Sequence, residues 1–562
     1  MNSTSVNGDD RRYLTQTGSH RFSLARLTGP LHLPSHASHP APYLGPPTEA
    51  QLVALRSLEG IAIHQASPAP DGIIEDASRS ARVGFPWQLV AVLVVQAALS
   101  SRLLWSNTAF MDEALYLWAG HMEWAHWLQG APVPAFQSWF SGAPVLYPAL
   151  GALVDTYGGL TAVRLLSLAF MLGVTWLLWG TTSRVVNRRA ALIATALFGT
   201  LAGTAFLGAF ATYDAMALFL LAAGTRIAVG ASQRGRALGS AGFLLAGLIL
   251  GLACAVKYAA ALFVPVILLV VFFSRAREAG WGRAVAAFLT VAIALALALA
   301  AGLYVGGSAY WHGLQVTTLS RTASDASPLS VIKMSYIWTA FIAILAAAAL
   351  FMSRREPPAY KWLLRLLAIT ILLVPAEQAR IGTMISLHKH VVFGAWFAAI
   401  AAGYVLARLS VVDKTRGWMI VMSIPIIAAT LIGSIPQSTS LYEDWPNVSA
   451  FSAQLPQLLS KHPGNYLSGG EIGQLIGYYS RGQFGWTQWQ NDQNFHQPGM
   501  SPGLASDRFG ISSHEFALVI VDIRESASNP YDEALLNDIR QSRGYRLVAS
   551  ADGFEAWSPP EQ

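Results

Sequence analysis

The sequence has very few cysteines and few charged residues. It contains one cysteine in 562 residues, and Lys, Arg, Asp and Glu make up only 12% of the chain, against roughly 25% in soluble domains. A single cysteine, Cys254, excludes a disulfide framework within the chain and any metal site built from several cysteines. The sequence also has no G-x-x-x-x-G-K-[ST] loop and no G-x-G-x-x-G after a strand, which argues against an ATP-driven pump and a cytosolic nucleotide-sugar enzyme.

Apolar residues, in contrast, are abundant. They make up 53% of the chain, which is more than a single soluble core needs and favours the bilayer as solvent. Residues 1–84 lack sustained apolar periodicity and predict a disordered tail. The first apolar run starts near Phe85, too deep in the chain for a cleavable signal peptide, so we expect it to remain as an anchor.

Eleven apolar segments are candidate membrane spans. Several are short against the ~20 residues that a spanning helix needs, so their bounds are soft. Together they predict a polytopic all-α membrane domain of about eleven transmembrane helices over residues 85–436. The segments are 85–105, 161–181, 190–208, 212–230, 238–256, 258–273, 284–305, 331–352, 362–378, 390–408 and 417–436.

The distribution of basic residues predicts the orientation. With the amino terminus in the cytoplasm, the inner loops hold fourteen Lys and Arg residues and the outer loops and lips hold four: Lys257, Arg321, Arg380 and Lys389. This asymmetry fits an odd number of spans in the cell membrane, with a cytoplasmic tail and an external carboxyl end. Because topology accounts for the net charge of +6, nucleic-acid binding is not predicted.

Residues 437–562 differ in character from the apolar segments. The strand-like pieces "NYLSG", "ALVIVD" and "YRLVASADGFEAWS" alternate with the helix-like pieces "EIGQLIGYYSRG" and "NPYDEALLNDIRQSRG". This alternation predicts a small extracytoplasmic α/β domain. The stretch 483–510 is rich in Pro, Gly and Gln, and we expect it to form a long loop within that domain.

The long first outer loop, residues 106–160, begins with "SNTAFMDEALYLWAGHMEWAHWLQG", which has three carboxylates, two histidines and no Lys or Arg. In one interpretation, Asp112 and Glu113 cap an interfacial helix, and its Tyr and Trp residues form an aromatic belt. In the other, an acid at the lip of the first span does chemistry, because it can meet both a membrane-bound and an aqueous ligand.

The order of several pieces resembles a known superfamily. A first span followed by "DEALY", then "LYPALGALVDTYGGLTAVRLLSLAF", "GLILGLACAVKYAAALFVPV" and "SLHKHVVFGAWFAAIAAGY", is similar to the GT-C polytopic glycosyltransferases. The most similar branch is that of protein O-mannosyltransferase-like and aminoarabinose-transferase-like enzymes. The resemblance covers residues 85–410 and implies an inverting transfer of a sugar from a polyprenyl-phosphate donor to an extracytoplasmic acceptor hydroxyl. The acceptor class stays open between envelope glycan, lipid and protein.

The resemblance also implies roles for individual residues. Asp112 matches the first acid of the family and is the predicted general base. Glu113 is the alternative base, or a ligand for the acceptor or a metal; at consecutive helical positions the two side chains diverge by ~100°. The predicted substrate-binding residues are Tyr116, Asp214, Lys257, Tyr258, Arg321, Arg380, His388, Lys389 and His390.

Some of these residues have a second interpretation. Asp214 either orients the sugar or makes a structural pair with Lys257. Lys389 either contacts the lipid phosphate or extends to the membrane surface. "HKH", residues 388–390, could bind zinc if other residues complete the site, so a divalent metal cofactor is left open and its ligands are unassigned. His121, His126 and Glu123 form either a further site or part of the membrane interface.

Two other functions remain as alternatives to a glycosyltransferase. One is a secondary transporter or lipid flippase, and the other is a non-catalytic scaffold that binds envelope material. No internal repeat is evident, and the polar candidates gather at one outer face instead of the middle of the bilayer, which argues against a transporter.

Overall fold

A computed structural model of the chain describes residues 86–320, 325–409, 416–469, 472–492, 495–524, 529–542 and 544–560, with side chains in the third range from residue 423. The predicted tail, 1–84, and Arg321 lie outside the described residues. From Pro86 onward the described residues form one compact unit.

The amino-terminal three quarters of this unit is helical and apolar. Its helices are α1 (Trp87–Ser101), α2 (Met111–Gln129), α3 (Tyr147–Val185), α4 (Arg188–Gly199), α5 (Ala202–Leu207), α6 (Tyr213–Ser232), α7 (Arg236–Val256), α8 (Val264–Ala279), α9 (Trp281–Leu314), α10 (Pro328–Met352), α11 (Pro358–Ile369), α12 (Leu373–Arg380), α13 (Leu387–Leu409) and α14 (Arg416–Glu443). Within the described ranges, nine helical stretches are long and apolar enough to cross a membrane. The predicted polytopic all-α architecture is confirmed, and the chain is a multi-pass membrane protein.

Two of the predicted spans are shorter than a full crossing. Helix α1 has 15 residues. The segment predicted at 190–208 is divided into α4 and α5, because Leu201 between them is extended (φ −66°, ψ 141°). The hydroxyl of Thr200 donates to the carbonyl of Ala196 over 2.7 Å, a back-bond that commonly bends or ends a helix.

The first outer loop is more helical than a loop of 55 residues suggests. Besides α2, it contains a 3₁₀ turn, Phe136–Ser138, and the first part of α3. Helix α3 has 39 residues and changes direction at Gly159, where φ is 64°. Glycine adopts this left-handed backbone at little cost, so the amphipathic piece before Gly159 can leave the line of the predicted span that follows.

Helix α13 forms the centre of the helical bundle. In its apolar stretch 94% of the residues are buried, against 28% in the stretches that contain α9 and α10. Small residues allow this close packing: a Cβ on Gly403 would lie 2.4 Å from the carbonyl oxygen of Ala190, and one on Gly394 would lie 2.6 Å from that of Thr370. Small residues at helix contacts are typical of membrane bundles. The first turn of α13, residues 387–390, therefore lies in the protein interior.

The carboxyl-terminal part contains a five-stranded sheet in the order β2-β1-β3-β5-β4. The pairs β2-β1 and β1-β3 are parallel, and β3-β5 and β5-β4 are antiparallel. The predicted small α/β domain is confirmed as a fold. Its elements are α15 (Ser449–Lys461), β1 (Asn465–Ser468), α16 (Ile472–Tyr479), β2 (Trp489–Asn491), α17 (Leu504–Ser512), β3 (Phe516–Asp522), α18 (Pro530–Gln541), β4 (Arg546–Ala551) and β5 (Phe554–Ser558).

The expectation of one long loop at 483–510 is wrong, because this stretch contains β2 and the start of α17. Strand β2 has only three residues, and it pairs in parallel with β1, Tyr466 facing Trp489 and Ser468 facing Asn491. A strand this short is defined by its neighbour in the sheet, a tertiary effect that local composition does not report.

Helix α16 lies against α2. A Cβ on Gly477 would lie 2.6 Å from the indole of Trp118, so only glycine allows this approach. The small α/β part is thereby attached to the helix that begins with Asp112 and Glu113.

Candidate functional site

The amino end of α2 presents two adjacent carboxylates with different surroundings. Phe110, the residue before the helix, is extended (φ −74°, ψ 157°), and its amide donates to Oε2 of Glu113 over 3.0 Å. This is the Glu half of a capping box. Glu113, and not Asp112, therefore caps the helix.

Glu113 also forms a buried ion pair with Arg164 of α3. Arg164 Nη2 lies 2.6 Å from Oε2, and its Nε lies 2.9 Å from Oε1. The amide of Ala211 donates to Oε1 over 2.7 Å. With the Phe110 amide, four hydrogen bonds reach a carboxylate that has about four acceptor positions. Glu113 is 0% exposed and Arg164 is 1% exposed, so no acceptor position is left for a substrate proton.

Arg164 was missed from the sequence, although it stands within a predicted span. Its Nη1 also donates to the carbonyl oxygens of Leu104 and Asn107, over 2.8 and 2.9 Å. It thus joins α3 to the segment between α1 and α2. An arginine within a membrane span by itself suggests a functional role. Its partners cannot be read from the sequence, because they lie far away along the chain.

Asp112 is the more accessible acid. Its Oδ2 accepts a hydrogen bond from Nζ of Lys389 over 2.8 Å, and the Asp112 side chain is 22% exposed while that of Lys389 is 5% exposed. Its Oδ1 makes no hydrogen bond to any described residue. Lys389 comes from the first turn of α13, just after Ser386, whose φ of 57° is uncommon for a residue with a side chain.

A second buried cation lies at the same end of the bundle. Lys257, at the end of α7, forms an ion pair with Asp214 in the first turn of α6. Nε2 of His390 lies 3.0 Å from the Lys257 ammonium, and Thr212 donates to the other oxygen of Asp214 over 2.9 Å. The pairing of Asp214 with Lys257, one of the two interpretations from the sequence, is therefore present.

Aromatic rings connect the two ion pairs. Tyr116 of α2 packs on Tyr213, with ring centroids 4.6 Å apart, and the Lys257 ammonium lies 4.8 Å from the Tyr213 ring centre. Lys389 lies 5.1 Å from the Phe210 ring. Burial, with Tyr213 and Asp112 nearby, raises the pKa of Tyr116 well above its ordinary value, so its phenol is neutral.

The other predicted substrate-binding residues differ in burial and in partners. The hydroxyl of Tyr258 and Nε2 of His388 are buried without a hydrogen-bond partner among the described residues, and His388 stands edge-on to Phe206, with centroids 4.8 Å apart. The Arg380 side chain is 69% exposed and pairs with Glu377; it is not part of the ion-pair cluster. Arg321 lies outside the described residues.

The histidines of α2 do not form a metal site with Glu123. Nε2 of His121 lies 2.7 Å from Oδ2 of Asp155, and Nδ1 of His126 lies 2.8 Å from the carbonyl oxygen of Ala131. Burial raises the pKa of Glu123. In the part of the chain that the structure describes, no three His, Cys, Asp or Glu side chains are grouped so that they could hold a metal ion.

Asp155 connects the small α/β part to the helical part. Tyr478 of α16 donates to its Oδ1 over 2.8 Å, and Nη2 of Arg481 lies 3.1 Å from Oδ2. Tyr479 holds the chain just before Asp112, since the Ala109 amide donates to its hydroxyl over 2.8 Å. These contacts join residues more than 300 positions apart, and sequence reasoning did not find them.

The comparisons with known proteins agree with this architecture. Residues 149–304 match the family model described as dolichyl-phosphate-mannose-protein mannosyltransferase. No curated protein sequence matches significantly.

Several solved structures have the same fold. ArnT from Cupriavidus metallidurans, solved with undecaprenyl phosphate, has a TM-score of 0.59 at 12% identity, over 84% of this chain and 97% of that one. The oligosaccharyltransferase AglB from Archaeoglobus fulgidus, solved with an inhibitory peptide and a dolichol-phosphate, scores 0.53 at 12% identity, over 84% and 74% of the two chains. The mycobacterial arabinofuranosyltransferase AftD scores 0.50 at 14% identity and is covered over 40% of its length.

All three are GT-C membrane glycosyltransferases. The resemblance recognised in the sequence is confirmed, and at these identities it is a likeness of fold.

Proposed function

We propose that this chain, which has the GT-C fold, is an inverting glycosyltransferase that moves a sugar from a polyprenyl-phosphate donor to an acceptor hydroxyl outside the cytoplasm. The observation that carries the proposal is the partly exposed carboxylate of Asp112 beside two buried lysines, Lys389 and Lys257. Such a transfer needs one base for the acceptor proton and cations for the departing phosphate.

Asp112 is the general base in this proposal. Its Oδ1 takes the proton of the acceptor hydroxyl while that oxygen forms a bond to the anomeric carbon. The bond from this carbon to the phosphate oxygen breaks, and its electron pair leaves with the lipid phosphate. A single displacement from the opposite side inverts the anomeric centre. A partly exposed carboxylate, with one oxygen that accepts no hydrogen bond from a described residue, supports this role.

Lys389 has a double role in the proposal. Its ammonium holds Asp112 before the donor binds, and the donor phosphate competes for the same ammonium. When the phosphate takes it, Asp112 loses its partner and its carboxylate is free for the acceptor. Lys257 adds a second positive charge, held by Asp214 and His390. Charge-assisted hydrogen bonds to phosphate are among the strong ones.

Glu113 is a positioning residue and not the base. Its four hydrogen bonds, two of them from Arg164, hold the first turn of α2 in place. That turn sets the direction of the Asp112 side chain. Catalytic groups are commonly supported in this way by residues whose own contacts are complete.

Two of the similar structures support the donor class. One was solved with undecaprenyl phosphate and the other with a dolichol-phosphate, both polyprenyl phosphates. The family that matches residues 149–304 is named for a dolichyl-phosphate-linked mannose donor. A lipid-linked donor also agrees with the absence of a nucleotide-binding loop in the sequence.

The test is single-turnover sugar transfer by the full chain in nanodiscs, with a polyprenyl-phosphate sugar as donor. Asp112→Asn keeps the shape of the side chain but removes the base, so the rate should fall by about 10²–10⁴-fold. Donor binding and thermal stability should be retained. Glu377→Gln, an exposed carboxylate outside the cluster, is the matched control and should transfer at the parental rate.

Two results would contradict the proposal. If Asp112→Asn transferred sugar at the parental rate, Asp112 would not be the general base. If NMR showed that the product keeps the donor's anomeric configuration, a single-displacement mechanism would be excluded. If the chain, reconstituted in sealed vesicles, instead moves the intact donor to the other leaflet without sugar transfer, it is a lipid transporter.

A further inference from the structure

An apolar groove opens at the end of the bundle opposite the candidate site. It has a volume of about 520 Å³ and lies between the last turns of α8, the end of α10 and the length of α11. Apart from two arginines, Arg354 and Arg365, its lining residues are aliphatic or aromatic, and none is an acid. The volume is within the roughly 300–1,000 Å³ that is typical of ligand pockets.

Chain connections place this groove far from Asp112. The segment before α10 is joined to the segment before α13, where the Ala326 amide donates to the Gly382 carbonyl over 2.9 Å. Helix α10 then runs for 25 residues away from that point, which is about 37 Å at 1.5 Å per residue. The groove is therefore not a branch of the candidate site.

Neither arginine has a hydrogen-bond acceptor among the described residues. The Nε atom of Arg365 is buried and has no hydrogen-bond partner among the described residues. Its guanidinium lies 5.3 Å from the ring centre of Trp362, and that of Arg354 lies 4.7 Å from Phe351. By contrast, Arg408 at the same end lies 2.9 Å from a carboxylate oxygen of Glu356. A buried donor without a partner is destabilising, so a bound acceptor would stabilise this arrangement.

We propose that the groove binds an anionic phospholipid. Its phosphate lies against Arg354 and Arg365, and one acyl chain follows the apolar wall formed by Leu269, Phe273 and Leu366. The helices that form the groove belong to stretches apolar enough to cross a membrane, and its lining residues Phe351 and Trp362 are exposed on the bundle surface, so the groove opens toward lipid. Arginine binds phosphate through two parallel N–H donors.

The charge of the groove selects an anionic lipid over a zwitterionic one. Two guanidinium groups with no acid among the lining residues are an excess of positive charge, which a phosphodiester without a cationic headgroup compensates. In the predicted orientation this end of the bundle is cytoplasmic, and that leaflet carries the anionic lipids. The inference is independent of sugar transfer.

The test measures lipid retained by the purified full chain, by native mass spectrometry after incubation with vesicles. Phosphatidylglycerol and phosphatidylcholine are the two lipid probes, and glycerol phosphate is the probe for a headgroup alone. We expect retention of phosphatidylglycerol only. Each of Arg354→Gln and Arg365→Gln should reduce it about fivefold, since a basic residue near the membrane surface contributes about 1 kcal/mol.

Two further variants separate the groove from general effects. Arg355→Gln removes the adjacent arginine, which does not line the groove, and should retain the lipid. Leu269→Trp fills the groove and should lose the lipid with both arginines intact, while Leu289→Trp places the same bulk on an exposed position of α9 and should not. Equal retention of phosphatidylcholine, full displacement by glycerol phosphate, or unchanged retention when Arg354→Gln and Arg365→Gln are combined in one chain would each overturn the proposal.

Discussion

The two ends of the helical bundle use cations in different ways. At the end that holds Asp112, three basic side chains are buried and each is paired with a carboxylate: Arg164 with Glu113, Lys257 with Asp214, and Lys389 with Asp112. At the opposite end four arginines are less buried: Arg277, Arg354, Arg365 and Arg408. The first three lie against aromatic rings or a backbone carbonyl, and Arg277 and Arg408 lie within 4 Å of a carboxylate. One end is balanced in charge, whereas the other has an excess of positive charge.

The buried ion pairs of one end and the more exposed arginines of the other therefore have different explanations. Burying an ion pair is weak evidence for stability, because desolvation offsets much of the attraction. Three buried pairs within one cluster are therefore better explained by a role in binding or catalysis. In the predicted orientation the other end is cytoplasmic, where basic residues collect, and there only Arg354 and Arg365 have a proposed binding role, in the lipid groove.

The largest effect on stability is expected where a buried pair is broken. Arg164→Met leaves the Glu113 carboxylate uncompensated in the interior, which should cost about 3–5 kcal/mol in thermal or denaturant unfolding in detergent. Arg408→Met, at the other end, should cost far less, because the Arg408 side chain is 47% exposed and water screens the pair. If the two variants unfold alike, the contrast between the ends does not hold for stability. Adding Glu113→Gln to Arg164→Met should recover part of the loss.

The next effect concerns donor use. Lys389→Met removes a cation that the proposed mechanism places on the lipid phosphate, and hydrogen bonds to charged groups contribute about 1.5–3 kcal/mol. The KM for the polyprenyl-phosphate donor should rise by roughly 10- to 150-fold, and Lys389→Arg should restore part of the affinity. A Lys389→Met enzyme with the parental KM would mean that this lysine only holds Asp112.

Sequence and structure agree most closely where the signal is local. Apolar runs predicted the helices, and alternating strand and helix patterns predicted the small α/β part. Acids and lysines at the lips of spans are rare enough that Asp112, Asp214, Lys257 and Lys389 were all singled out, and the structure brings these four together.

What the sequence does not predict depends on long-range contacts. Arg164 reaches a carboxylate 51 positions earlier, and Tyr478 reaches Asp155 over 323 positions. No local pattern reports either pairing. The same holds for the division of roles between Asp112 and Glu113. Two adjacent acids look alike in the sequence, and only the fold decides which one receives four hydrogen bonds.

A buried acid that forms no ion pair with a described residue provides a further comparison with the two ends of the bundle. Asp507, in the small α/β part, accepts a hydrogen bond from the Tyr531 hydroxyl, and its Oδ1 is buried with no partner among the described residues. Burial raises its pKa to about 7, against the lowering effect of the Tyr531 hydrogen bond. Between an unfolded pKa of about 3.9 and 7, the folded state binds more protons than the unfolded state.

The stability of this part should therefore fall as pH rises through that window, by up to about 1.4 kcal/mol per pH unit, and level off above pH 7. Hydrogen exchange of residues 504–541, followed against pH, measures this, and Asp507→Asn should flatten the slope. A slope of the opposite sign, or one that survives the substitution, would show that another group titrates.

The smallest effect is expected at Arg380. It was predicted from the sequence to bind substrate, but its side chain is 69% exposed and its guanidinium is occupied by Glu377, three residues earlier. Exposed pairs of this kind contribute little, because water and salt screen them. Arg380→Gln should therefore change neither the melting temperature nor the KM for the donor within error, measured beside Lys389→Met. A rise in KM comparable to that of Lys389→Met would show that the donor phosphate extends from the buried cluster to the surface, and the exposed arginine would then belong to the site.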